Sequence, residues 1–356
     1  AVRSADLQGA AVRLTVIEEV TAGQVPTKPV GPGEATRIMT GAPLPDGVDC
    51  VVPIELTDCD DNQVTLRTEA ASIGAGDNMI RRATSIRCGD VVAPAGRRLR
   101  AQELGALAEA GGHHVSVRRR PRVAVLATGD ELVTIDQSPA AGQIRNSNET
   151  MLAAQIVQAG SEPVPLGIGR CERFHLRENI RAGLECDVLL LCGGCSAGKL
   201  DLLPSELEAA GVRQVFHKVQ VKPGKPLWFG VLERKAPGGS PGPCYVFGLP
   251  GNPVSSMVCF ELFARPALRR LMGHDPAVPE GLRARLQQDH IARGARPTYH
   301  PARLEWAESG PIVSLVRWHG SSDLQATVDA NAMALVPPGD ATYQTGDELL
   351  VFPWDS

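Results

Sequence analysis

No stretch of the 356-residue chain reaches the ~18 consecutive apolar residues that suggest a membrane span. No basic-then-apolar leader opens it, although it begins at Ala1 without a methionine, which leaves room for a missing upstream piece. A strong charge of either sign is also lacking. The net charge of −4 at pH 7 does not indicate broad binding to nucleic acid or anionic membranes. The run Arg118-Arg119-Arg120 is short and reads as a solvated linker beside a strand. There is no internal repeat and no low-complexity tract. A 43% hydrophobic, 21% charged composition belongs to an ordinary globular protein. Nine cysteines make an odd count, and Cys186, Cys192 and Cys259 fall in apolar or glycine-rich element cores. That pattern suits reduced, buried thiols in a cytosolic protein better than a secreted disulfide framework. Cys192 and Cys195 form a C-x-x-C pair with no second pair at zinc-site spacing, so the turn explains them better than a metal does. No Ser-His-Asp set is apparent, and His175, His217 and His274 are isolated.

What is present is a change of rhythm. Residues 1–84 are rich in Val, Thr, Gly and Pro, with alternating runs at Val12–Val16 and Val64–Arg67, and read as a small β domain. Residues 85–120 form a connecting segment with a short helix at Gln102–Ala110. Residues 121–272 alternate strands (Val123–Thr128, Pro163–Ile168, Asp187–Cys192, Tyr245–Leu249) with helices (Glu149–Ala159, Arg173–Leu184, Ser205–Ala210, and a long one from Pro253). Such alternation predicts an α/β layer with a mostly parallel sheet. In the last helix Asn252 suits the N-cap, Pro253 the first helical position, and Pro266 should kink it. Residues 273–356 carry short β-like runs and predict a C-terminal all-β module.

Four glycine- and proline-punctuated loops lie at predicted strand ends: ATGDEL (127–132), CGGCSAGKLD (192–201), VKPGKPLWFG (221–230) and FGLPGNPVSS (247–256). Glycines admit close backbone approach, and helix N-termini present N–H groups to anions, so together they describe a site for a phosphorylated ligand. Gly193–Lys199 has the spacing of a P-loop, but Leu200 stands where Ser or Thr should meet magnesium. It reads as a phosphate-facing glycine turn or as a tight connection with no ligand. Lys222 and Lys225 flank Pro223-Gly224 and can neutralise an oxyanion, unless the turn is merely solvated. Asp130 and Glu131 close the first α/β strand, Asp187 opens the third, and Asp201 follows the glycine turn. Carboxylates beside phosphates are what Mg²⁺ requires.

Taken together, TGAPLPDGVDCVV (40–52), TGDEL (128–132), GQIRNSN (142–148), the 193–201 loop, KPGKP (222–226) and GLPGNPVS (248–255) closely resemble the molybdopterin molybdenumtransferases, the MoeA family that includes the gephyrin E-domain. The resemblance covers essentially the whole chain. It implies a multidomain fold with a MogA/MoaB-like three-layer α/β centre, a β-rich N-terminal domain and a small C-terminal β-barrel. It implies insertion of molybdate into adenylylated molybdopterin with Mg²⁺ and release of AMP. It further implies a cytoplasmic homodimer with the active site at the subunit interface, and partners among the molybdopterin adenylyltransferase and apo-molybdoenzymes. Residue by residue, Asp130, Glu131, Asp187 and Asp201 match acidic positions lining the cleft, with Asp130, Asp201 and Glu172 the metal candidates. Thr40 matches a threonine reaching the neighbouring subunit's site. Gly193, Gly194, Ser196 and Gly198 would meet the pterin phosphate. Lys222, Lys225, Pro250, Gly251, Asn252, Pro253, Ser255 and Ser321 match the pterin and molybdate end.

Several positions depart from the family pattern. Cys171-Glu172 keeps one carboxylate where an acidic pair is common, and Lys199 occupies an often acidic place. A family arginine falls near Tyr299-His300-Pro301, leaving Arg303 as a stand-in. AVRSADL looks like the tail of a motif whose Asp-Gly-Tyr precedes Ala1. Two other readings are an adenylyltransferase-like enzyme and a gephyrin-like scaffold.

Overall fold

Strand β5 (Arg122–Thr128) explains the architecture of the α/β region. Val123 and Val125 pack into one buried cluster while Ala124 and Leu126 pack into another, so both faces of the strand are covered. A near-continuous apolar run is what a central parallel strand requires. In this computed structural model, residues 1–9, 12–170, 172–193, 202–234 and 242–354 are described. Two compact units result, Ala1–His113 and His114–Ser356.

The first unit contains a four-stranded sheet of β1 (Arg13–Val20), β2 (Glu34–Ile38), β3 (Thr57–Asp60) and β4 (Gln63–Leu66), in the order β2-β1-β4-β3. Leu14, Ala35, Cys50, Val64 and Leu66 fill its core. Burial pushes the Cys50 thiol up to about 11. Helix α1 (Ala101–Glu109) follows, and its Glu103 accepts hydrogen bonds from Arg100 at 2.7 Å and Arg97 at 3.0 Å.

The second unit begins with β5, continues through the short pair β6 (Leu132–Val133) and β7 (Ile144–Arg145), and then enters helix α2 (Ser147–Gln158). Next come β8 (Glu162–Gly169), α3 (Arg173–Leu184), β9 (Val188–Cys192) and α4 (Leu203–Ala209). Strands β10 (Arg213–His217), β11 (Trp228–Leu232) and β12 (Cys244–Leu249) complete a six-stranded sheet ordered β10-β11-β12-β9-β5-β8. Strands β12, β9, β5 and β8 run parallel, whereas β11 is antiparallel to both its neighbours. The turn around Lys222 thus joins two antiparallel strands, β10 and β11, whose bounds the sequence does not delimit.

Helix α2 and the final helices cover one face of this sheet, and α3 and α4 cover the other, which gives three layers. The final helix is α5 (Pro253–Cys259), a π-helical turn at Phe260–Ala264, and α6 (Arg265–Leu271). Pro266 therefore meets a widened turn just upstream, a physical route around the missing N–H. Glu261 and Arg265 are buried there as an ion pair at 2.5 Å, and Gln155 donates to Glu261 at 2.6 Å.

The chain ends in β13 (Leu282–Leu286), β14 (His290–Ala292), β15 (Thr298–Ala307), β16 (Gly310–Leu315), β17 (Ala332–Val336), β18 (Ala341–Tyr343) and β19 (Glu348–Pro353). Five of these close a barrel in the order β13-β16-β15-β17-β19. The multidomain α/β-plus-barrel fold expected from the sequence is the fold observed. Among the described residues no helix is long and apolar enough to cross a membrane.

Candidate active site

Between β5 and β9 the strand order reverses: the chain leaves β5 for β8 on one side, then returns across it to β9. A crevice at the carboxyl ends of such strands is where α/β sheets bind ligands. Here the two strand ends are in close contact. Thr128 Oγ1 donates to the Cys192 carbonyl at 3.3 Å, and Gly193 follows with φ +99°. A Cβ on Gly193 would lie 2.3 Å from the Thr128 carbonyl oxygen, so only glycine fits.

This crevice opens into a cavity of about 1160 Å³, all of it within the second unit. Its walls come from five places along the chain. Thr128, Glu131 and Gly193 lie at the sheet edge, and Asn146, Ser147 and Asn148 at the start of α2. Asn146 Oδ1 caps that helix by accepting from the Glu149 amide at 3.3 Å. Lys222–Pro226 form a third wall and Pro250–Pro253 with Ser255 a fourth. The fifth comes from the barrel: Arg296 and the loop from Trp318 to Ser322.

The lysine turn is held from two sides. Lys222 donates its backbone N–H to Pro297 O at 2.9 Å, and its carbonyl accepts from Tyr299 N at 2.7 Å. Gly224, at φ +122°, lies against the helix so closely that an added Cβ would be 2.5 Å from Cys259 Sγ. Arg296 donates to the Val221 carbonyl at 2.9 Å, which brings its guanidinium to the same wall. At the fourth wall, Asn252 occupies the N-cap position of α5 but makes no side-chain cap. Its amide donates instead to Ser321 Oγ at 2.8 Å, while Val254 N donates to Ser321 O at 3.0 Å. The barrel loop thereby satisfies a helix-end amide and locks itself over the sheet edge.

Charge is one-sided. Arg145, Lys222, Lys225 and Arg296 line the cavity against Glu131 as the lining carboxylate among the described residues. Behind Trp318 lies His300, its ring T-shaped to the indole at 5.2 Å. Burial holds the His300 imidazole below its ordinary value, which keeps it neutral at pH 7.

Lys222, Lys225, Pro250, Gly251, Asn252, Pro253, Ser255, Ser321, Gly193 and Glu131 are all brought to one cavity. Gly194, Ser196, Gly198 and Asp201 lie outside the described residues, as does Cys171. Thr40 sits exposed in the first unit. Asp130 is not among the lining residues, and its carbonyl accepts from Arg170 at 3.2 Å. Glu172 faces His175 at 3.9 Å on the surface at the start of α3.

Asp187 is a correction. It precedes β9, at the amino edge of the sheet, where Arg119 pairs with it at 2.5 Å and the Arg122 amide donates at 2.8 Å. Burial alone would raise this carboxyl, yet the Arg119 hydrogen bond, the Arg122 amide and the nearby guanidinium charges hold it below the ordinary range. Its role there is structural. Arg303 is another correction, for it pairs with Glu305 at 3.1 Å on the surface, while Arg296 reaches the cavity. Arg296, Trp318 and His319 are not singled out by the sequence, and Arg145 enters it only as part of the motif GQIRNSN (142–148).

Comparison with known proteins accords with this geometry. Residues 1–111 match the MoeA N-terminal region (domain I and II), residues 124–270 a probable molybdopterin binding domain, and residues 283–354 the MoeA C-terminal region (domain IV). A molybdopterin molybdenumtransferase of Nostoc sp. is 34% identical over 348 residues, covering 96% of this chain and 77% of the relative. Its counterpart in Staphylococcus epidermidis is 31% identical, over 98% of this chain and 81% of the relative. The solved molybdopterin biosynthesis MoeA protein from Pyrococcus horikosii superposes with a TM-score of 0.78 at 28% identity, covering 100% of this chain and 86% of that one. The chain belongs to the MoeA family of molybdopterin molybdenumtransferases.

Proposed function

We propose that this chain inserts molybdate into the dithiolene of adenylylated molybdopterin and releases AMP, completing the molybdenum cofactor. The supporting observation is the cavity itself: four cationic side chains and one carboxylate among the described lining residues, in a space of about 1160 Å³. Molybdate is a dianion, and it must approach a ligand that already carries phosphate. Lys222, Lys225 and Arg296, fixed by backbone contacts from both α/β region and barrel, offset that repulsion without rearranging. Ser255 and Ser321 offer hydroxyls beside them. Relatives matched along nearly the whole chain bear the name of the inserting transferase, which favours insertion over the adenylyltransferase or scaffold readings.

A divalent cation such as Mg²⁺ belongs to this proposal. Glu131 supplies one hard carboxylate at the cavity wall, and Mg²⁺ is commonly held by one or two carboxylates plus substrate oxygens. Among the described residues no three His, Cys, Asp or Glu side chains gather as a ready-made metal site, so ligand oxygens would complete the shell with Glu131 and Asp201. When bound, the ion would polarise the phosphoanhydride. A homodimer, a cytoplasmic location, and exchange with an adenylyltransferase and apo-molybdoenzymes complete the proposal. Sedimentation equilibrium tests the dimer.

The decisive assay mixes protein, adenylylated molybdopterin, molybdate and Mg²⁺, then measures AMP together with reconstitution of an apo-molybdoenzyme. Both are expected. AMP absent with substrate intact refutes the reading. Asp201→Ala should keep the fold and lose AMP release, and wild-type turnover in that variant removes Asp201 from the mechanism.

A further inference from the structure

His319 differs in kind from the lysines, arginines and glutamate of the cavity wall. Lysine and arginine side chains as residue types keep their protons well above neutral pH and carboxylates lose theirs well below, whereas imidazole exchanges near pH 7. His319 lines the cavity, and its ring is oriented. Asp323 Oδ2 lies 3.0 Å from His319 Nδ1 and also accepts the His319 backbone N–H at 3.1 Å. Asp323 Oδ1 accepts the Ala326 N–H at 3.3 Å. These bonds, that from the His319 backbone foremost, hold the Asp323 carboxyl below its ordinary value. An ionised carboxylate only accepts hydrogen bonds, so Nδ1 carries the proton and Nε2 is left for exchange. The loop that carries the pair is anchored to α5 through Ser321, so the ring has a fixed place over the sheet edge.

We infer that His319 is the proton carrier of molybdate insertion, with Asp323 as its positioning residue. The inference rests on the insertion reading and deepens it. The step is R(SH)₂ + MoO₄²⁻ → R(S₂)MoO₃²⁻ + H₂O. Two S–H bonds and one molybdenum–oxygen bond break; two Mo–S bonds and two O–H bonds form. Molybdenum stays hexavalent and the charge stays −2. His319 Nε2 takes one thiol proton as that sulfur attacks molybdenum, then returns it to the departing oxygen. The second thiol proton goes to the same oxygen, which leaves as water. Without a relay the first sulfur attacks as a neutral thiol and the oxygen departs as an oxide, and both are slow.

The test uses the full chain with adenylylated molybdopterin, molybdate and Mg²⁺. Thermal melting and equilibrium dialysis with molybdate alone serve as controls. His319→Ala should lower the insertion rate by about 10²- to 10⁴-fold, the usual span for general acid–base groups. Molybdate affinity should hold within about threefold, since the fixed cations supply it. Added imidazole should recover part of the lost rate. Asp323→Asn should lower kcat about tenfold with KM unchanged. If His319→Ala melts early, His319→Gln carries the same kcat-against-KM test. An active wild type whose His319 variants insert at the wild-type rate, or a slow His319→Ala that folds, binds molybdate and gains nothing from imidazole, overturns the proposal. A wild type that neither inserts nor releases AMP overturns the functional reading with it.

Discussion

Replacing Gly193 by alanine puts a methyl carbon 2.3 Å from the Thr128 carbonyl oxygen, about 1.1 Å inside the 3.4 Å at which ordinary contact begins. The obstacle is backbone, so no side-chain rotation relieves it. The residue also sits at φ +99°, where an L side chain is strained by about 1–3 kcal/mol. Overpacking adds about 1–3 kcal/mol. A combined cost of about 3 kcal/mol predicts a fall in unfolding temperature of about 6–12 °C for a unit of this size. Relief has to come from parting β5 and β9 at the cavity floor. A displacement of about 1 Å there should slow AMP release about 10²-fold. Differential scanning calorimetry and the AMP assay give the two readings from one preparation. Wild-type melting and wild-type turnover together in Gly193→Ala would refute the argument that this crevice is closed by backbone contact and is used.

Other substitutions probe separate parts of the structure. Glu261→Ala strands a guanidinium that is only 6% exposed and should cost about 3–5 kcal/mol by denaturant unfolding; the Glu261→Ala, Arg265→Ala double variant should lose less than the two singles added together. Lys222→Ala or Lys225→Ala should weaken molybdate binding about tenfold, with the gap narrowing at high salt, as dialysis at two ionic strengths would reveal. Asp187→Asn should cost about 1–2 kcal/mol at pH 7, discounted for the exposed Arg119, with no effect on turnover per folded molecule. Because the folded-state carboxyl lies below its ordinary value of about 3.9, its contribution is complete above that pH and disappears as pH falls through the lower folded value. Unfolding at pH 7 and near pH 3 should therefore show the difference shrinking in acid.

Much of this fold is legible in the sequence. The apolar runs of β5 and β9 predict a parallel sheet, and the helix predicted over Arg173–Leu184 is the helix observed. The loops at Gly193, Lys222 and Pro250 carry the local punctuation of tight turns, which is why they stood out. Asp187 stands just before β9, where the sequence also puts it, and the start of a parallel strand lies at the edge opposite the cavity; the matched family position, not its place in the strand, assigned it to the cleft. Asn252 read as a helix cap, but the competing acceptor Ser321 is 69 residues away. Arg296, Trp318 and His319 reach the cavity only because the barrel docks beside the sheet, and no periodicity encodes docking. A turn between two strands is one reading of the lysine loop, but the pairing of β10 with β11 and its antiparallel sense have no local signal.

That docking has a consequence for how the enzyme comes into being on the ribosome. The walls of the cavity run from Thr128 to Leu324, and the α/β region is complete at Leu271, about 53 residues before the last of them. At about 5–20 residues per second, synthesis leaves the sheet edge without its barrel wall for roughly 3–11 s. During that interval the exposed helix Pro253–Cys259 lacks the Ser321 contacts that later seal it. A nascent chain stalled before residue 321 should therefore show a folded sheet and no affinity for molybdate, and competence should arrive abruptly with the barrel.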